Sequence, residues 1–311
     1  MVIYPSVPKK MINCLYIENI YTFTLTYQFR AEMKEIVVAI DFSKGSLHAL
    51  EYAIALANTC RCNVTMVWVD SQSSTLMPLQ SEIAELRDEA RKNMEDLMHE
   101  YKYNLRFSKL GYKLRKGKVY QELALQAKAS GAGLVITGTH GVTGFEEFWI
   151  GSNALRIVTN APCPAITVRT SYNVSRPLAK IVMPVDHTAV TLHKVPFTAD
   201  LAKTFGAEVN IIALNSSKLK TIQRMIDNAV LKVEKYFGDN GVNFITEKQN
   251  TDNIASSIIE HARLVDADLI SIMTDGDIEA SSLQLDKFSQ QLINYSAIPV
   301  LSNHPIEHFS L

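Results

Sequence analysis

The stretch ITGTHGVTGFEEFWIGSNALRIV, residues 136–158, begins as a buried strand and ends as a helix. Four glycines lie in it, although the whole chain of 311 residues has only 13. Turn geometry accounts for some glycines, because glycine adopts backbone angles that other residues avoid. Glycines also let a backbone come close to a ligand, and the first amides of a helix attract anions. The stretch therefore predicts an α/β fold with a phosphate site after one strand.

Strands and helices alternate on both sides of this stretch. EIVVAID, NVTMVWVD and YKLRKGKV are predicted as strands before it, and PAITVRT follows it. A helix predicted over residues 80–103 carries an apolar stripe of Ile83, Leu86, Ala90, Met94, Leu97 and Met98. Buried strands that alternate with helices predict a parallel sheet with helices on both faces.

The pattern then starts again. KIVMPVDHT at 180–188 repeats EIVVAIDFS, and DNIASSIIEHARLVDADLISIMTDG repeats the elements before the glycine-rich loop. The length also favours two domains. We predict a first domain at 33–170, a linker at 171–178 and a second domain of the same kind at 179–311. Residues 1–32 are expected to form an extension outside the fold.

Composition narrows the function classes. The formal net charge is -1, which gives no electrostatic case for binding nucleic acid or an anionic membrane. No unbroken apolar run approaches the length of a membrane span. The four cysteines complete no zinc ligand set, so we expect no metal site and a reducing, cytoplasmic compartment. Cys163, between two prolines, is expected to act as a small apolar residue.

The glycine spacing is specific. Two residues separate Gly138 from Gly141, nine separate Gly141 from Gly151, and Ser152 and Asn153 follow. The loop leaves the carboxyl end of a strand, where open α/β sheets bind ligands. We expect positive φ at the first two glycines, and an anion at the helix that Gly151 opens. The loop is neither a Walker A loop nor the dinucleotide fingerprint, which have other spacings.

With VVAIDFS near its start and TGTHGVTGFEEFWIGSNA later, the chain resembles the universal stress protein family over residues 33 to about 303. The resemblance implies two tandem, doubly wound, five-stranded parallel sheets of the Rossmann-like, adenine nucleotide alpha hydrolase-like kind. Members that bind ATP carry G-x2-G-x9-G-(S/T), which matches the spacing here. The implied ligand is ATP, alone or with Mg²⁺. The implied ATP-site residues are Ala39, Asp41, Val69, Thr137, Gly138, Thr139, His140, Gly141, Gly151, Ser152, Asn153 and Ala154.

The second copy departs from this pattern. Asp186 keeps the acid after the first strand, but Met273 or Thr274 stands where the first copy has Gly138, and the Gly-Ser-Asn triplet is missing. Four acids in the corresponding loop would repel a triphosphate; they are Asp275, Asp277, Glu279 and Asp286. We expect this copy to have lost nucleotide binding and to serve pairing or another ligand.

Two functions from different classes remain. One is a nucleotide-dependent stress-response regulator that is a weak ATPase at best, since no dedicated base or arginine finger is visible. The other is a protein-interaction module that needs no nucleotide. An adenylyl-transferring enzyme, with His140 as base, comes third. The resemblance also implies pairing through the fifth strands, here PAITVRT with IPVLSN, as a pseudo-dimer within one chain. A further homodimer stays open, and protein partners are unknown.

Overall fold

The computed structural model describes residues 33–71, 80–139, 151–274, 285 and 287–305, with only the backbone for 80–83. The extension expected at 1–32 lies outside these residues. The strands are β1 (Glu35–Ala39), β2 (Asn63–Asp70), β3 (Leu110–Lys116), β4 (Leu134–Gly138), β5 (Ala165–Val168), β6 (Lys180–Val185), β7 (Glu208–Asn215), β8 (Phe244–Asn250), β9 (Leu269–Met273) and β10 (Val300–Asn303). The helices are α1 (Lys44–Cys60), α2 (Gln80–Tyr101), α3 (Val119–Ser130), α4 (Ser152–Asn160), α5 (Val195–Phe205), α6 (Lys220–Asp239), α7 (Ile254–Leu264) and α8 (Lys287–Tyr295). None of the helices described in these ranges combines the length and the apolar character needed to cross a membrane.

The strands form one ten-stranded sheet in the order β3-β2-β1-β4-β5-β10-β9-β6-β7-β8. Neighbouring strands are parallel within each half. Among the described strands, only the junction between the halves is antiparallel, with Val300 opposite Thr167 and Leu301 opposite Ile166. The predicted fold class is confirmed, and so is the pairing of the two copies through their fifth strands.

Each face of the sheet carries a hydrophobic core that runs through both halves. One core lies under α1, α2, α5 and α6, and the other lies under α3, α4, α7 and α8. Because side chains alternate along a strand, Ile36 and Val38 enter the first core while Val37 enters the second. Separating the halves would therefore expose both cores to water.

The stripe predicted for α2 is only partly buried. Ala90, Met94 and Leu97 are buried as expected, but Leu86 is 57% exposed. The 22 residues of α2 span about 33 Å, whereas the eight residues of β2 span about 26 Å. The prediction was wrong at Leu86 because the helix is longer than the sheet that it crosses.

The segment between β5 and β6 is fixed to both halves. The ring of Tyr172 packs edge-on against Tyr52 of α1, with 5.9 Å between the centroids. Arg176 contacts Asp266 at 2.8 Å and Asp268 at 2.9 Å. The other oxygen of Asp268, Oδ2, accepts hydrogen bonds from the N–H groups of Ala179 and Lys180. The segment predicted as a linker therefore makes specific contacts with both halves.

Replacing Arg176 by alanine should lower the free energy of unfolding by about 2 kcal/mol, because it removes the cation from Asp268, which is only 2% exposed. Urea unfolding measures the change. Arg91→Ala is the matched control: its pair with Asp88 is exposed, so the loss should stay under about 0.5 kcal/mol. Equal losses of unfolding free energy in the two variants would show that the ion pairs of Arg176 stabilise the fold no more than an exposed pair does.

Candidate functional site

The candidate site lies where β1 and β4 end side by side. The chain leaves β1 into α1 on one face of the sheet, and it leaves β4 towards α4 on the other face. Connections that diverge to opposite faces leave a crevice at the carboxyl ends of the two strands. Since Val38 pairs with Ile136, the residues that follow β1 and β4 lie at the same level.

The backbone of Val69 faces this crevice. The pairing of β1 with β2 ends at Val67, whose carbonyl oxygen accepts from the N–H of Ile40 at 2.9 Å. Backbone groups alternate in direction along a strand, so those of Val69 point to the same side as those of Val67. They lie past the end of β1, where a ligand can reach an N–H donor and a C=O acceptor.

A tight turn holds Asp41 at the end of β1. Its Oδ1 accepts from the N–H of Ser43 at 3.0 Å, and its own N–H donates to the hydroxyl of Ser46 at 3.3 Å. Ser43 caps α1, as its place in the sequence predicts, by accepting from the N–H of Ser46. Phe42 between them has a φ of 64°, which costs about 1 kcal/mol outside glycine. The turn leaves the Asp41 side chain exposed beside the crevice.

Gly138 has a role that the sequence did not reveal. Its φ is not positive, contrary to expectation. A Cβ at Gly138 would stand 2.5 Å from the carbonyl oxygen of Gly45, in the first turn of α1. Because Gly138 has no Cβ, the backbone of Gly45 in α1 can pack directly on the end of β4. Gly45 was missed, although a glycine inside a helix, where it is unfavourable, often marks such a close approach.

Gly151 connects the end of β4 to α4. It is the N-cap of α4, and its N–H donates to the carbonyl oxygen of Thr139 at 2.7 Å. The first turn of α4 carries no acidic side chain, and Ser152 and Asn153 are exposed there. The first amides of a helix have no acceptor within the helix and carry a partial positive charge. This end of α4 is therefore suited to an anion.

The other predicted site residues are divided between packing positions and positions outside the described ranges. Ala39 is half-buried at the end of β1, and Ala154 is buried in the core beneath α4. The hydroxyl of Thr137 donates to the Gly138 carbonyl oxygen at 3.2 Å, so it is engaged within β4. His140 and Gly141 lie outside the described residues. Asp41, Val69, Thr139, Gly151, Ser152 and Asn153 are the predicted residues that the structure places at this edge of the sheet.

The cysteines of the described residues show no reactive character. Cys60 and Cys62 are buried in the first core, and neither belongs to a disulfide. Burial raises the pKa of the Cys163 thiol to about 12, so it stays protonated at neutral pH. Since the thiolate is the reactive form, Cys163 acts as a small apolar residue, as predicted.

Comparisons with known proteins agree with this architecture. The sequence profile of the Universal stress protein family matches residues 32–169. A universal stress protein of Methanocaldococcus jannaschii is 30% identical over 144 residues, which are 44% of this chain and 82% of that protein. Universal stress protein YxiE of Bacillus subtilis is 25% identical over 147 residues, 43% of this chain and 98% of its own.

Solved structures match both halves together. A universal stress protein from Archaeoglobus fulgidus aligns with a TM-score of 0.72 at 15% identity, over 89% of this chain and 98% of its own. A protein of unknown function from Pseudomonas aeruginosa aligns with a TM-score of 0.60 at 16% identity, over 89% of this chain and 94% of its own. The chain belongs to the universal stress protein family, as a tandem protein whose two halves form a pseudo-dimer.

Two glycine substitutions should differ sharply in stability. Gly138→Ala should lower the free energy of unfolding by about 3 kcal/mol, because its Cβ meets the backbone of Gly45. Gly151→Ala should stay within about 0.5 kcal/mol, since its φ of -60° suits alanine and its Cβ would lie 3.6 Å from the nearest described atom. Thermal unfolding compares them. Equal stability of the two variants would contradict the close contact of α1 with β4.

Proposed function

We propose that the first half binds one molecule of ATP, alone or with Mg²⁺, in the crevice between β1 and β4. The protein then acts as a nucleotide-dependent stress-response regulator with slow or no hydrolysis. One observation carries the proposal: α4 begins directly at the end of β4, held by the bond from Gly151 to Thr139, with no acid in its first turn. An anion there meets helix amides rather than carboxylates.

The phosphates are assigned to the start of α4. Ser152 and Asn153 offer exposed backbone amides and polar side chains in its first turn. The spacing G-x2-G-x9-G-(S/T) and membership of the universal stress protein family both support a nucleotide here. Gly141 and His140 belong to the same proposed set.

The adenine is assigned to the Val69 side of the crevice. An N–H donor and a C=O acceptor on one residue match the acceptor and donor edge of adenine, and the Val69 side chain is apolar. Asp41 lies between the proposed positions of the adenine and the phosphates. Its Oδ1 is engaged by Ser43, and the exposed carboxylate is proposed to contact the ribose hydroxyls or Mg²⁺.

The second half is proposed not to bind ATP. β9 and β4 have equal length, so Met273 stands where the first half has Gly138. α8 and α4 also have equal length, so Lys287 stands where the first half has Ser152. We keep the domain boundaries proposed from the sequence, at 33–170 and 179–311, with 171–178 as the connecting segment.

Nucleotide content tests the stoichiometry. Purified full-length protein, with ATP and Mg²⁺ added and the excess removed, is denatured and its supernatant chromatographed. About one adenine nucleotide per chain is expected. Two per chain would contradict the proposal for the second half. None would contradict ATP binding and would favour an interaction module that needs no nucleotide.

Ser152→Asp should weaken ATP binding at least about tenfold while slightly stabilising the fold. A carboxylate at the start of a helix favours the helix but repels a phosphate at the same amides. Calorimetric titration and thermal unfolding measure the two effects. Thr221→Asp is the matched control, because it adds the same charge to the exposed first turn of α6 in the other half. Unchanged ATP affinity in Ser152→Asp would exclude α4 as the phosphate site.

Hydrolysis is expected far below the turnover of ordinary enzymes, which is about 1 per second or more. Phosphate release from the ATP complex is measured against protein that carries Ser152→Asp. A turnover of about 1 per second or more that disappears in Ser152→Asp would make the protein an enzyme and would overturn the regulatory proposal.

A further inference from the structure

An apolar patch lies on the outer surface of α7 and α8 in the second half. Leu264, the last residue of α7, is 78% exposed, and Tyr295, the last residue of α8, is 54% exposed. Ile259 lies half-buried beside them. A hollow of about 420 Å³ is lined by Ser256, Ile259, Glu260, Arg263, Leu264 and Tyr295. The patch therefore joins a projecting leucine to a hollow of its own.

The corresponding surface of the first half has no such side chains. The helices can be aligned by counting back from β4 and β9, which have equal length, and by matching α4 with α8. Ala124, Ala129 and Asn160 then stand at the positions of the three apolar residues. The shared fold forms without large apolar groups here, so packing within the chain does not account for them. Exposed apolar groups that cluster around a hollow are typical of an interaction site.

Two opposite charges lie on the same stretch of α7. Glu260 and Arg263 are both exposed. Within the part of the chain that the structure describes, neither side chain forms an ion pair. Each charge is therefore available to a partner of opposite charge on another molecule.

The order of these residues along α7 is self-complementary. At 3.6 residues per turn, the side chains at 259, 260, 263 and 264 share a face of about 140°. A two-fold axis through the middle of this face, between residues 261 and 262, brings α7 against a second copy of itself in the antiparallel direction. Ile259 then lies opposite Leu264 of the second copy, and Glu260 lies opposite Arg263 of the second copy. One axis thus satisfies the apolar and the charged pairs together.

We propose that this patch pairs with the same patch of a second copy, which makes a two-fold homodimer of the tandem chain. Leu264 of each copy enters the hollow of the other, and the two charged pairs flank the axis. The patch is small, so the dimer is weak and exchanges with monomer. The proposal does not depend on ATP binding, because the pairing uses no residue of the crevice in the first half.

Sedimentation velocity of the full-length protein, from about 1 µM to about 500 µM, tests the association. A reversible equilibrium of monomer and dimer is expected. Leu264→Gln should weaken the dimer at least about tenfold, because each dimer carries the substitution twice at a buried contact. Leu125→Gln is the matched control: Leu125 of α3 is 56% exposed, and its replacement should leave the equilibrium unchanged.

Exchange of the two charges tests the orientation of the pairing. Glu260→Arg alone or Arg263→Glu alone sets like charges against each other twice, and each should weaken the dimer at least about tenfold. The double variant restores opposite charges and should return to within about threefold of the original affinity. Both residues are exposed, so the variants should fold normally, which thermal unfolding checks.

Three outcomes would overturn the proposal. One is a protein that stays monomeric over the whole concentration range, which would leave the patch to a different partner. Another is a dimer that Leu264→Gln weakens no more than Leu125→Gln does, because the contact would then lie elsewhere. The third is a double charge variant that associates as weakly as the single variants. Absence of bound nucleotide would contradict the proposed function but not this dimer.

Discussion

The antiparallel pairing of β5 with β10 is the contact on which the rest of the structure depends. It joins two five-stranded sheets into one and removes two open sheet edges, which otherwise invite association with other chains. It also makes each hydrophobic core continuous across the junction. Among the described strands, the edges that remain are β3 and β8, and both carry charged side chains that discourage further pairing.

Reciprocal contacts reinforce this junction. Arg169, just after β5, donates to the carbonyl oxygen of Asn294 in the last turn of α8. His304, at the corresponding place after β10, faces the backbone of Val158 in α4, and burial lowers its pKa. α4 therefore begins at the candidate nucleotide site and ends against the other half. A single helix of nine residues connects the site with the junction.

The two halves show how one backbone plan supports two different arrangements at the strand ends. Asp41 and Asp186 are held by the same kind of turn, and β4 and β9 have the same length. The difference arises at Gly45 and Gly138, which become Val190 and Met273. In the first half the first turn of the helix packs directly on the strand, since Gly138 lacks the Cβ that would have no room there. The second half instead has a 3₁₀ turn (Ala189–Leu192), a later helix start and a cavity.

By itself the sequence determined the alternation of strands and helices, the internal repeat, the Ser43 cap and the start of α4. These features depend on local periodicity and capping, which act over a few residues. Only the tertiary structure decided the reason for Gly138, the contacts of the segment at 171–178 and the exposure of Leu86. Each of these depends on a partner far away in the chain: Gly45 for Gly138, Asp268 for Arg176, and the width of the sheet for α2. No short stretch of sequence contains both partners, so only folding brings them together.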